Sequence, residues 1–266
     1  MYLKRTHVLT QSLLLATLLS NVLIVSACSA ESSNTPILSN QSTPTEIYEL
    51  GLAYYEGNSV PQDYEKAFSL FKKSADREYV EAQFNLGVMY ENGIGVNRDY
   101  KKAMQSYLSA ADNGDFEAQN NIGSLYYFGR GVTQNYDKAF KWYKEAADKD
   151  VGIAQFNIGG FYENGYSVPQ NYAKALEWYI KAADQGLDVA QLNIGGLYEN
   201  GYGVPQDDNK AFEWYKKAAD QDNQEASNRI GRLVMNHKID DTEPPRDCRR
   251  PKILREYDNE KTNLHP

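Results

Sequence analysis

The sequence predicts an all-α solenoid of five 36-residue helix–turn–helix repeats followed by a C-terminal capping helix. Three observations carry that reading. The chain repeats without a gap through 46–81, 82–117, 118–153, 154–189 and 190–225. Apolar residues inside each copy fall at helical spacing, as in Ala82, Leu86 and Tyr90. Every copy also places a Gly and an Asp or Asn at the same two offsets, which punctuates it into two helices.

Ahead of the repeats, Lys4 and Arg5 precede a largely apolar run, Val8–Val25, that ends in Ser26, Ala27 and Cys28. A basic start, an apolar core and small residues at the exit are the parts of an export signal, read here over 1–27. Polar residues within the run and the Cys at its end argue against an uncleaved membrane span. Val25 to Cys28 resembles the lipobox of bacterial lipoproteins, which implies lipidation at Cys28. Ser29, not Asp, follows the Cys; by resemblance to Gram-negative sorting rules this implies the outer membrane, with the body facing the periplasm. The remainder of 28–45 is rich in Ser, Thr, Asn and Pro and reads as a disordered tether.

Each repeat begins with a helix such as Ala82–Asn92 and closes it at Gly57, Gly93, Gly129, Gly165 or Gly201. A short turn follows, whose Val (Val204, for example) can reach the core. The second helix starts at Asp63, Asp99, Asn135, Asn171 or Asp207, residue types whose side chains cap orphan amides. A further Gly stands inside the first helix at offset six of every copy: Gly51, Gly87, Gly123, Gly159 and Gly195. Mid-helix Gly costs about 1 kcal/mol against Ala, so a bulky aromatic must press on bare backbone there. The Tyr at offset nine (Tyr54, Tyr90, Tyr126, Tyr162, Tyr198) and the Trp or Tyr at offsets 25 and 26 are the candidates, and all are expected in the core. Ala226–His237 keeps the start of a sixth copy with more charge and reads as a cap, taking the solenoid to 238; 239–266 loses periodicity and reads as a loosely structured tail.

These residues resemble the Sel1-like repeat, a relative of the tetratricopeptide repeat. Residues 190–207 read AQLNIGGLYENGYGVPQD and 210–219 read KAFEWYKKAA, and the resemblance extends over 46–236. It implies a right-handed α/α superhelix whose first helices line a concave groove, and a role in holding other proteins. Some cysteine-rich members are linked to penicillin binding or β-lactamase-like activity, but no repeat here contains a Cys.

Little in the chain suggests catalysis. His7 falls in the leader, leaving His237 and His265 near the C-terminus, and no His/Cys/Asp cluster has metal-ligand spacing. No Ser has a His nearby to activate it. No enzyme and no cofactor are expected. The net charge of -8 becomes more negative when the basic leader is lost; such a body should repel nucleic acid and favour a basic protein or peptide partner. A monomer is expected. The candidate binding surface lies at offsets four, seven and eleven of the first helices, where Asn85, Asn92, Asn121, Phe128, Asn157, Asn164, Asn193 and Asn200 point away from the core face. Asn amides donate and accept, which suits gripping a peptide backbone. Small residues at offset seven leave room, and Glu163 and Glu199 add negative charge at the rim. The functional expectation is a membrane-anchored periplasmic scaffold. The alternatives are a periplasmic immunity lipoprotein that neutralises an antibacterial effector such as a phospholipase and, less favoured, a β-lactamase-like or peptidoglycan-active enzyme.

Overall fold

The computed structural model describes residues 41–236. The signal peptide, Cys28, most of the expected tether, and everything from His237 onward, including Cys248 and the tail, lie outside the described residues.

All regular structure among the described residues is helical, and the chain divides into two compact units at Asp115 and Phe116. The first unit holds α1 (Pro44–Glu56), α2 (Tyr64–Ala75), α3 (Val80–Asn92) and α4 (Tyr100–Asp112). The second holds α5 (Phe116–Phe128), α6 (Tyr136–Ala147), α7 (Gly152–Asn164), α8 (Tyr172–Asp184), α9 (Asp188–Asn200), α10 (Asp208–Ala219) and α11 (Gln224–Met235). Within each unit every helix packs on the next, so each is a stack of α-hairpins, as the solenoid reading requires. The helix α11 is the expected cap.

Local chemistry sets the helix ends. The side chains of Asp63, Asp99, Asn135, Asn171 and Asp207 each accept from a backbone amide in the first turn of α2, α4, α6, α8 and α10. The same five residues donate their own N–H back to the offset-nine Tyr carbonyl, closing the turn at 2.8–3.0 Å. At the other end of α7, Gly165 takes φ 71° and donates to the Phe161 carbonyl, a left-handed C-cap that any side chain would strain.

The start of α1 departs from the expected tether. Thr43 caps it, with the Glu46 carboxylate accepting the Thr43 N–H at 2.7 Å and Pro44 in the first turn. A Thr-Pro-x-Glu sequence read as loop by composition is a capping box by geometry. The Ser74 hydroxyl then fastens the helix by donating to the Pro44 carbonyl at 2.7 Å.

The core is small and aromatic. The offset-22 alanines (Ala67, Ala103, Ala139, Ala175, Ala211) are fully buried. The aromatic at offset 26 fills the space over the offset-six Gly. A Cβ built on Gly159 would stand 2.5 Å from the Tyr179 ring and one on Gly195 2.5 Å from the Tyr215 ring; Phe71, Tyr107 and Tyr143 cover the other three. The expectation that these aromatics are core holds fully at offset 26; at offsets nine and 25 Tyr90 is buried and the other aromatics pack half-buried against the core. The offset-nine tyrosines each lie under a lysine one turn into the second helix, as Lys174 lies over Tyr162 at 5.3 Å. Trp178 and Trp214 are half-buried under Lys181 and Lys217, at 4.0 and 3.8 Å. Such a ring packs against the core and also meets an ammonium.

Neighbouring helices are also clasped by amides. Gln185 donates to Gln155 and Gln221 to Gln191, both at 2.9 Å, and Asn113 does the same for Gln83 at 3.2 Å. In the third repeat Lys149 takes the donor's place, and the Gln119 carbonyl oxygen is buried without a partner.

Candidate functional site

In the second unit the exposed side of α5, α7 and α9 has a polar floor built from the tyrosines that press on glycine. Tyr179 is 1% exposed, yet its hydroxyl emerges on this side and donates to the Glu163 carboxylate at 2.5 Å. Tyr215 does the same to Glu199 at 2.5 Å. Burial first, and then the neighbouring carboxylate, push both phenols well above the usual tyrosine range. The Asn193 amide approaches the Tyr179 hydroxyl from the next helix, and Arg229 approaches Tyr215 in the same way.

Each phenol has a partner supplied by one of two offsets. Tyr107, Tyr179 and Tyr215 bond Glu91, Glu163 and Glu199 at offset ten. In the third repeat offset ten is Tyr127; there Ser124, at offset seven, bonds Tyr143 at 3.0 Å. In the first repeat the ring is Phe71, which has no hydroxyl, and those offsets hold Leu52 and Tyr55. A buried hydroxyl needs a hydrogen bond, and the repeats supply one only where a hydroxyl exists.

Over this floor lie Gly160 and Gly196. A Cβ on either would meet only the tyrosine hydroxyl below it, at 3.8 Å, an ordinary contact. Their chain neighbours Gly159 and Gly195 cannot carry a side chain; these two could.

The expected asparagine ladder is not a row of free amides. Asn85 is buried and donates to the Tyr48 hydroxyl at 3.0 Å, so it ties helices together and offers no surface. Asn92, Asn164 and Asn200 donate to the carbonyl four residues back on their own helix at 2.7–2.8 Å. Asn157 donates to Asn120 at 2.9 Å, and Asn121 accepts from Asn120 at 3.4 Å. Asn121, Asn157 and Asn193 are half-buried along the face of the second unit, while Asn164 and Asn200 there, and Asn92 in the first unit, are exposed; all keep some capacity for a ligand. Phe128 is 55% exposed at the end of α5, edge-on to Tyr127 and under the Arg130 guanidinium. The Tyr179–Glu163 and Tyr215–Glu199 pairs and Arg229 belong to this face; the two glutamates were expected only as charge at its rim, and the tyrosines and Arg229 were missed, the matched substitutions at offsets seven, ten and 26 being the signal.

No group of His, Cys, Asp and Glu among the described residues is placed to hold a metal ion, and none of their helices is long and apolar enough to cross a membrane.

The Sel1 repeat family model matches residues 47–79, 80–115, 116–151, 152–187 and 188–223, well over half of the chain. The chain belongs to the Sel1 repeat family. Among solved structures, a Sel1 repeat protein from Oxalobacter formigenes is 31% identical, with a TM-score of 0.72 over 84% of this chain and 89% of that one. The protective antigen c5321 of uropathogenic Escherichia coli is 33% identical with a TM-score of 0.70; the match covers 83% of this Sel1 protein but only 46% of the antigen, less than half its length. The immunity protein Pa5087 of Pseudomonas aeruginosa, 19% identical, shares the fold with a TM-score of 0.51 over 90% of this chain and 88% of its own. None of the curated proteins matches. Sel1 repeat proteins bind protein partners and are typically non-catalytic adaptors, and this chain has that scaffold fold.

Proposed function

We propose that this Sel1 protein is a lipid-anchored, periplasm-facing scaffold that binds a protein partner, without catalysing a reaction, across the α5–α7–α9 face. The anchor is the lipobox-like Val25–Cys28, with Ser29 pointing to the outer membrane. The observation that carries the binding reading is the pair Gly160 and Gly196. Each sits inside a helix, where Gly costs about 1 kcal/mol against Ala, and nothing in the packing of the described residues requires it. A partner whose backbone must come close to these helices supplies the missing reason. The negative carboxylates Glu163 and Glu199 beside them favour a basic partner.

The test is affinity capture from the native envelope with the wild type and with Gly160→Leu/Gly196→Leu, whose added side chains stand over the face without entering the core. Loss of the captured protein from the variant is expected, with Cys28→Ala releasing the chain from the membrane fraction. Equal capture by both proteins refutes the face assignment. The second reading is an immunity lipoprotein, favoured by the fold shared with Pa5087 along most of this chain. It requires that the face retrieve one dominant hydrolase, whereas a scaffold retrieves several envelope proteins together.

A further inference from the structure

Glu163 and Glu199 hold the same position in consecutive repeats, and each accepts a buried tyrosine hydroxyl at 2.5 Å. They differ in their cations. Glu199 has one: Arg229 of α11 brings Nη1 to 3.5 Å of the Glu199 carboxylate, reaches Tyr215 as well, and is steadied by Glu225 on its Nε at 2.8 Å. The residue corresponding to Arg229 one repeat earlier is Asn193, an uncharged amide. Among the described residues no lysine or arginine pairs with Glu163.

Glu163 is therefore a half-buried carboxylate that receives one side-chain hydrogen bond, from Tyr179, while its other oxygen accepts none from the described residues. A partly desolvated carboxylate gains most from a charge-assisted bond. Access is open: Gly160 lies one turn away on the same side of α7, and among the described residues a Cβ there would meet only the Tyr179 hydroxyl. The neighbouring repeat shows what fits. A guanidinium's planar fork can meet a carboxylate and the adjacent phenol together, which a lysine ammonium matches less well.

We propose that Glu163, with Tyr179 beneath it and Gly160 beside it, is a subsite for an arginine side chain of a basic protein partner, and that Arg229 on Glu199 is a built-in copy of the bound arrangement. This rests on the scaffold reading and names the chemistry of its partner. The site occurs once on this face, because α5 carries Tyr127 where α7 carries Glu163 and α11 already occupies Glu199.

The experiment is a titration of the full-length protein with a blocked pentapeptide carrying one central arginine, and with its citrulline counterpart, followed by NMR. The Gly160 amide reports the open site and the Gly196 amide the occupied one. Saturable shifts at Gly160 with the arginine peptide are expected, at least about tenfold weaker with citrulline, the loss of one charge-assisted contact. Glu163→Gln keeps an acceptor for Tyr179 and should weaken the response equally. Asn193→Arg should supply the cation internally and abolish it, and Arg229→Asn should make Gly196 respond in turn. A response at Gly160 that citrulline or Glu163→Gln leaves unchanged, or no saturable response in the folded wild type, overturns the proposal. If it falls while Gly160→Leu/Gly196→Leu still abolishes capture, the face stands and only its arginine subsite is wrong. Failure of both removes the scaffold reading itself.

Discussion

Alanine at two adjacent residues of α7 should move stability in opposite directions. Gly159 and Gly160 sit in the same helix, so Ala at either gains the same helix propensity, about 1 kcal/mol. The surroundings then decide. At Gly160 the new methyl meets only the Tyr179 hydroxyl at 3.8 Å, so the gain survives and the variant should be about 0.5–1 kcal/mol more stable. At Gly159 the methyl falls 2.5 Å from two carbons of the Tyr179 ring, which is 1% exposed and held at its far end by Glu163. The ring must move by about an ångström in a packed interior, and overpacking of that kind costs roughly 1–3 kcal/mol or more. Gly159→Ala should therefore lose about 1–2 kcal/mol net. Urea midpoints of both variants at neutral pH decide the matter, because a solenoid unfolds over several repeats and the sign is safer than an absolute stability. Equal shifts, or a stabilised Gly159→Ala, would refute the claim that offset six is a packing glycine and offset seven a free one. If Gly160→Ala instead destabilises, the glycine has a structural cause and the argument for a partner at this face collapses.

Two further outcomes follow from particular residues. Lys149→Gln should give the buried Gln119 oxygen the donor that Gln185 and Gln221 give their partners. The expected gain is about 0.5–1 kcal/mol in thermal or urea unfolding, after loss of the Lys149 contact over Phe116 at 5.6 Å; no gain would show that the clasp contributes nothing. Alkaline pH should weaken the fold. Tyr179 and Tyr215 titrate well above the value of about 10 they have when unfolded, so the folded chain holds protons that the unfolded chain releases; their contribution is intact below about pH 10 and falls as pH rises beyond it. Urea midpoints from pH 8 to 11 should fall more steeply for the wild type than for Tyr179→Phe, and parallel curves would contradict the assignment.

What the sequence made legible followed from where a signal had to be chemical. The second helices were bounded correctly because Asp or Asn at their start is the cap itself. The start of the first helices was not: they open after Tyr79, Val151 and Leu187, none of which makes a side-chain cap, and α3 begins at Val80, before the expected Ala82. Gly at offset six announced an aromatic neighbour, but periodicity alone could not choose among offsets nine, 25 and 26, since all three lie on inward-leaning turns. The choice is made by packing, which lays the offset-26 ring directly on the glycine. Asn85 marks the limit of reading a surface from spacing: the same offset holds an exposed Glu49 in the first repeat and half-buried amides in the second unit, and only the approach of Tyr48 makes it internal.

The tyrosine at offset 26 links the core to the exposed face of the first helices in this molecule. Its ring is fixed by packing on glycine, so its hydroxyl always emerges at the same place on the first helices. What meets the hydroxyl is free to vary: Ser124 in one repeat, Glu163 or Glu199 in others, with Asn193 or Arg229 arriving from the following helix. Varying those residues changes the charge and depth of the face without disturbing the core beneath, because the ring, the glycine and the alanines stay the same. A stack built this way can change its exposed face repeat by repeat while keeping one fold. In the second unit the variation leaves the third repeat neutral, Glu199 paired with Arg229, and Glu163 a carboxylate with no cation beside it among the described residues.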